Sequence, residues 1–157
     1  SYGKATRGAF RVHQFHKVEQ IVFSKPDESE DWHGRCQENA EGIMRLLGLP
    51  YRVVRVCVGD MGAPGYKKFD VEAWFAGFGS YRETHSNTNL LDYQTRRLNI
   101  RCKNGQTFNP HTISSTMITD RALLAILENN QAADGSVVVP EALRPYVGGK
   151  ERLTPPA

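Results

Sequence analysis

Arg11, Glu19, Glu83 and Arg121 are charged residues set into segments that otherwise pattern as strands or a helix, and no candidate nucleophile accompanies them. Arg11 and Glu19 lie eight positions apart, a parity that keeps both on one face of a sheet if the strand between them is continuous. Glu83 ends a strand-like run, and the residues after it, THSNTN, are all small or hydrogen-bonding. Arg121 opens a helix, where the positive end of the dipole and a guanidinium together favour an anion. Arginines and carboxylates on a sheet suit reactions whose barrier is mostly charge and positioning, and phosphoryl or nucleotidyl transfer is the main example. A solvated or ion-paired surface position is the plainer reading of any one of these residues taken singly.

Other chemistries lack their motifs. No GxGxxG precedes a helix, and there is no Walker lysine loop, HExxH, nucleophile elbow or paired Cys/His set. His13, His16, His33, His85 and His111 share no spacing and no Ser or Cys partner, so they are expected to make structural or polar contacts. Cys36, Cys57 and Cys102 have neither CxxC nor metal-ligand spacing and are expected to be small buried hydrophobes.

The elements that must position these residues follow from periodicity. FRVHQFHKVEQIVF, residues 10–23, partly alternates and predicts one or two strands, with Val12, Val18 and Val22 on one parity. Ser24-Lys25-Pro26 with Asp27, Glu28, Glu30 and Asp31 is a helix start, and Trp32, Cys36, Ala40, Ile43 and Leu47 form an apolar stripe ending at Gly48 and Pro50. Strands are expected over 51–58, 66–75 and 80–84, and a hairpin from 98–103 and 106–112 about Asn104-Gly105. Thr119 caps a last helix, DRALLAILENNQ, with Leu123, Ile126 and Leu127 as its buried stripe. The succession is α+β, an antiparallel β-sheet flanked by helices, with no βαβ repeat.

The 157 residues, 39% hydrophobic and 24% charged, have ordinary composition for one globular domain. A domain of this length buries roughly 70% of its unfolded surface and needs no disulfide or metal to hold a core. The net charge of +3 permits a nucleic-acid or phosphate partner, but the basic clusters are short. No apolar run reaches the roughly 20 residues of a membrane span, and no signal peptide is visible. The expected location is the cytoplasm or an organellar matrix, with no membrane partner.

Several long segments carry a resemblance: TRGAFRVHQFHKVEQ, LGLPYRVV, GDMGAPGYKKFDVEAWF, YRETHSNTNLLDYQTRRLNIR, DRALLAILENNQ and DGSVVVPEALRPYVGG. In this order they resemble the catalytic domain of the seryl-tRNA synthetase family, a class II aminoacyl-tRNA synthetase. The resemblance implies that residues 1–157 are a single unit, the C-terminal portion of a class II catalytic domain from the second half of motif 2 through motif 3. It further implies a serine–tRNA ligase activity: ATP-dependent activation of L-serine to seryl-adenylate, then transfer to the acceptor end of tRNA(Ser). Carried over residue by residue, Arg11 contacts the ATP phosphates and Phe15 stacks on adenine. Glu19 holds the substrate serine, and Thr116 supplies a hydroxyl to it. Glu83 and Ser86 serve ATP and its Mg2+, with Thr84 and His85 lining the site between them, and Arg121 contacts the γ-phosphate.

Two departures qualify the resemblance. The chain starts inside the motif 2 loop, so the preceding arginine-bearing strand and the family's homodimer-forming segment are absent from it. The isolated chain is therefore expected to show at most weak serine-dependent pyrophosphate exchange and to expose sheet edges. In HTISSTMITDR, Ser114 and Ser115 stand where the family has Asn and Gly, which puts serine selectivity in question. A non-catalytic synthetase-like protein, acting as a structural or interaction module, remains the alternative at this stage.

Overall fold

The computed structural model describes residues 8–155. Its centre is a five-stranded sheet in the order β1-β7-β4-β3-β2, antiparallel at every pairing, formed by β1 (Lys17–Ser24), β2 (Tyr51–Arg55), β3 (Lys67–Phe75), β4 (Ser80–Asn89) and β7 (His111–Thr119). A hairpin of β5 (Cys102–Asn104) and β6 (Gln106–Phe108) stands apart from it, turning at Gly105 with φ +74°, a value a side chain would resist. Two helices, α1 (Ser29–Leu46) and α3 (Asp120–Asn129), cover one face, and a short α2 (Tyr93–Arg97) lies near β7.

Alternation decides which residues meet the helices. Cross-strand partners share a face, so Val71 opposite His85 and Asn87 opposite Ser115 belong together. Val71, Ala73 and Phe75 from β3 form one core cluster with Met44 of α1, Leu47 just after it, and Ala122, Ala125 and Ile126 of α3, which places both helices on that face. The opposite face carries Lys68 and Thr88, Asp70 and Ser86, Ser114 and Ile21, and Thr116 and Glu19. Neither α1 nor α3 covers it; α2 touches it at one end, where Thr112 Oγ1 donates to Gln94 Oε1 at 2.9 Å, and the rest of this polar face is where chemistry has room.

Nearer the far side of α1 the layer beneath the sheet is a polar seam. Asn87 Nδ2 donates to His33 O at 3.0 Å, while the His33 ring bonds the Asn87 carbonyl at 3.2 Å. Gln20 Nε2 donates to Cys36 O and to Ser115 Oγ. Burial in a low dielectric favours such pairing, and the exception in this seam is Asn87 Oδ1, which is buried without a partner.

Several expectations are corrected. Residues 10–16 are not strand, because β1 begins at Lys17. The strand from Ser80 continues through THSNTN to Asn89, the second strand ends at Arg55, and β7, between β1 and β4, runs from His111 to Thr119, well past the expected end at residue 112. In α1 the buried set is Ser29, His33, Cys36, Gln37, Ala40 and Met44, while Trp32 lies at the rim under Arg35. In α3 it is Ala122, Ala125 and Ile126, and Leu123 is exposed. Cys36 is buried as expected, but Cys57 and Cys102 are exposed thiols. The outer edge strand β1 exposes Val18, Ile21 and Phe23. No helix among the described residues is long and apolar enough to cross a membrane.

Candidate active site

The ladder between β4 and β7 holds only from Asn89 opposite Ile113 to Asn87 opposite Ser115. Beyond that point each strand carries an irregularity. Against β3 the register of β4 shifts so that Val71 faces His85 and Glu72 faces Glu83, leaving Thr84 as the extra residue. Against β1 the register of β7 shifts so that Val18 faces Ile118 and Glu19 faces Thr116, leaving Met117 as the extra residue. Paired bulges of this kind twist strands and re-aim side chains. Here they lie where the two strands part, and an open pocket of about 340 Å³ occupies that parting.

The pocket collects Arg11, Phe15, Glu83, Thr84, Ser86, Thr116 and Arg121. Glu83, Thr84 and Ser86 come from β4, Thr116 from β7, and Arg121 from the first turn of α3. Arg11 and Phe15 reach it from a loop, not from a common strand face with Glu19, so the expected strand parity is not what unites them. A volume in this range with a few convergent charges is typical of small-molecule sites.

Arg121 is the most constrained of the set. Its Nη1 donates to Glu83 O at 2.7 Å, Nε donates to Phe10 O at 3.4 Å, and its guanidinium lies 4.4 Å from the centre of the Phe10 ring. Phe10 is itself wedged edge-on against Phe75 and Phe78, each at 5.2 Å. The cation is thus backed by a fixed aromatic face. Burial pushes the Arg121 guanidinium below its ordinary pKa, the Glu83 carboxylate 3.6 Å away holds it up, and Arg11 pushes it down again. An arginine stays charged through such shifts, so Arg121 and Arg11 both remain cations beside the Glu83 carboxylate. Thr119 caps α3 by accepting from Arg121 N at 3.3 Å and donates its own hydroxyl proton to Thr84 O at 3.1 Å, which joins the helix start to β4.

Two expected residues are placed differently. His85 does not line the pocket: it is 2% exposed on the helix face, beneath the bulges. Alternation is the reason, since the residue opposite buried Val71 must share its face. Glu19 borders the pocket without lining it, accepting from Ser114 Oγ at 2.6 Å and pairing with Lys17 Nζ at 2.7 Å, while Lys17 itself lines the pocket. Ser114 therefore shares the open face with Glu19, whereas Ser115 is fully buried toward α1 and takes a bond from Gln20.

Sequence reasoning missed Phe10, Lys17, Thr119 and Asp120, all at the pocket. Asp120 follows the Thr119 cap and accepts from the backbone N–H of His16 at 2.9 Å. Among the described residues no backbone-to-backbone bond holds positions 11–15, so this contact and the Arg121–Phe10 contact are what tie the loop down. The capping signal at Thr119 marked the helix start, but nothing local announced that the next residue reaches across to residue 16.

Glu83 and Ser86 offer hard oxygen donors on one pocket wall, the donor type that suits Mg2+. They are too few for a protein-only cage, and no group of three or more His, Cys, Asp or Glu among the described residues is placed to hold a metal. That donor set fits a cation shared with a bound phosphate ligand.

The sequence matches the family model of the tRNA synthetase class II core domain (G, H, P, S and T) over residues 2–130. The serine–tRNA ligase of Thermococcus kodakarensis is 54% identical over 155 residues, covering 96% of this chain and 34% of the relative. That of Methanospirillum hungatei is 52% identical, covering 98% and 37%. Among solved structures, a seryl-tRNA synthetase from Pyrococcus horikoshii complexed with ATP matches with a TM-score of 0.95 at 47% identity over 100% of this chain and 36% of that one. A cytoplasmic serine–tRNA ligase from Naegleria fowleri in complex with AMP matches with a TM-score of 0.88 at 42% identity over 97% and 37%. The chain spans about a third of the length of these relatives. The antiparallel sheet with helices on one face, the pocket at its parted strands and a family match covering residues 2–130 lead to one conclusion: the chain belongs to the class II tRNA synthetase core-domain family.

Proposed function

We propose that this chain is the nucleotide- and serine-handling part of a serine–tRNA ligase. The observation that carries the reading is the convergence of Arg11, Phe15, Glu83, Ser86, Thr116 and Arg121 on one pocket, in a chain whose fold is that of a seryl-tRNA synthetase complexed with ATP. In this reading Phe15, 53% exposed at the pocket, offers a face on which a purine stacks. Arg11 and Arg121 receive the phosphates. Glu83 and Ser86 would hold Mg2+, which supplies charge neutralisation of the phosphates when bound. Glu19, with Thr116 opposite it on β7, receives the amino acid through its ammonium and hydroxyl groups.

The reaction needs little covalent chemistry from the protein. The carboxylate of serine is already ionised, so it attacks the α-phosphorus without a general base, and pyrophosphate leaves in line. The chain's own task is orientation and charge: two guanidiniums meet the negative charge that spreads over the phosphate oxygens, in a pocket partly withdrawn from water. Transfer then follows by attack of a terminal ribose hydroxyl of tRNA(Ser) on the activated carbonyl, which releases AMP. A site that hydrogen-bonds the serine hydroxyl rejects alanine strongly, because the lost partner leaves buried polar groups unpaired. Ser115 is buried toward α1 and Ser114 is hydrogen-bonded to Glu19, so both departures are accommodated in the folded strand, and the likeness to serine–tRNA ligases favours the ligase over a non-catalytic module.

The test is serine-dependent ATP–pyrophosphate exchange by the protein expressed from its complete reading frame. Exchange that requires serine and is lost in Arg121→Ala supports the reading. Exchange equally strong with other amino acids, or none at all from a folded protein, overturns it.

A further inference from the structure

Among the described residues His85 is a fully buried ionisable side chain that touches both bulges, and the reaction described above gives it nothing to do. Its ring bonds Thr84 Oγ1 at 2.8 Å through Nδ1 and Met117 O at 3.0 Å through Nε2. Those two partners are the extra residues of β4 and β7. Because a carbonyl only accepts, Nε2 carries the proton and Nδ1 accepts from the Thr84 hydroxyl, for which the Val71 carbonyl at 3.1 Å competes. From the helix face of β4 the ring therefore reaches the backbone of β7 just past the last paired residues, Asn87 and Ser115.

We propose that His85 is a positioning residue that holds β4 and β7 apart, setting the distance between the Glu83–Ser86 wall and the Thr116 wall of the pocket. The inference rests on the reading that the first wall serves ATP and the second serves serine. The Glu83–Ser86 wall lies on β4, to which Arg121 is tied through Glu83 O, whereas Thr116 lies on β7 beside its β1 partner Glu19, so each ligand alone would keep most of its contacts if the two sides moved together. What the wedge governs is the relative placement of the two reactants. A misplacement of about 1 Å between reacting groups costs on the order of 100-fold in rate.

Three variants of the full-length protein separate the possibilities. His85→Ala removes both the volume and the bonds. His85→Phe fills the volume without bonds, and His85→Gln places an amide that donates to Met117 O and accepts from Thr84. The expected result is a kcat for serine-dependent pyrophosphate exchange lowered about 100-fold in His85→Ala and His85→Phe. The Kd values for ATP and for serine, each measured alone, should stay within about threefold of the parent, and His85→Gln should restore most of kcat. If His85→Ala fails to fold, His85→Phe against His85→Gln carries the same comparison. A folded His85→Phe variant with parental kcat overturns the inference while leaving the ligase reading intact. A parent protein without serine-dependent exchange removes the ligase reading itself, and this inference with it.

Discussion

Arg121 Nη1 donates to the backbone oxygen of Glu83 at 2.7 Å, so the cation of α3 is fixed to the strand that carries the carboxylate, independently of the carboxylate's own 3.6 Å contact. A guanidinium anchored through backbone and stacked on Phe10 has lost its rotamer freedom before any ligand arrives. Arg121→Lys keeps the charge but loses the planar fork that reaches Glu83 O and Phe10 O together. We expect Arg121→Ala to lower kcat/KM for ATP about 100-fold and Arg121→Lys to recover only a minor part of that loss. Steady-state pyrophosphate exchange at varied ATP measures both. Recovery by lysine to within threefold would show that charge alone suffices there.

The loop with Arg11 and Phe15 hangs on the same helix start. Asp120 accepts from His16 N, and Asp120→Ala and Asp120→Asn both remove the same negative charge from the helix N-terminus. Only the asparagine keeps an acceptor oxygen. We expect Asp120→Ala to weaken ATP binding about fivefold and Asp120→Asn less than twofold, the difference being one solvent-accessible hydrogen bond. Isothermal titration of ATP into the two variants is the measurement, and equal affinities would mean the contact does not hold the loop.

How much of this was legible before the structure depends on how far each signal reaches. The Thr119 cap, the Asn104-Gly105 hairpin and the strand over residues 67–75 are local, and periodicity with turn chemistry finds them. The strand over 111–119 escaped because HTISSTMIT has hydroxyls on both faces: Thr112 and Ser114 share the open side, Ser115 faces α1, and Thr112, Ser115 and Thr116 are all buried and polar. A core seam built from Asn87, Ser115, Gln20 and His33 gives no apolar rhythm to read. Site residues legible through the resemblance gathered at the pocket, apart from two. His85 lies beneath it because alternation puts it on the face of Val71 and Asn87, and Glu19 stands beside it because its carboxylate is taken up by Ser114 and Lys17.

Ser114 and Ser115 face opposite ways, and their variants should behave differently. Ser114 Oγ donates to the Glu19 carboxylate, so Ser114→Ala leaves that carboxylate oriented by Lys17 alone. A bond to a charged group contributes about 1.5–3 kcal/mol, and we expect the KM for serine to rise about tenfold with the KM for ATP unchanged. Ser115→Gly removes only the contact with Gln20 and should leave both KM values within twofold while lowering the melting temperature. A serine KM that moved in Ser115→Gly but not in Ser114→Ala would reverse the assignment of faces.

His85 also links the site's framework to acid. Burial lowers its pKa from 6.5 to about 4, against the bond to Met117 O that favours the charged form, and Lys17 adds a smaller push in the same direction as burial. The unfolded chain takes up a proton near pH 6.5, and the folded chain does so only near pH 4. Between those values the unfolded state holds more protons, so stability falls as pH drops, by up to about 1.4 kcal/mol per pH unit from this one residue. His33, buried under Phe69, has its pKa lowered chiefly by burial and adds to the same slope. Urea unfolding of the parent at pH 7 and pH 5 should show the loss, and His85→Gln, which cannot titrate, should show a shallower one. An unchanged slope in His85→Gln would assign the acid sensitivity to His33 and the α1–β4 seam instead of to the parted strands.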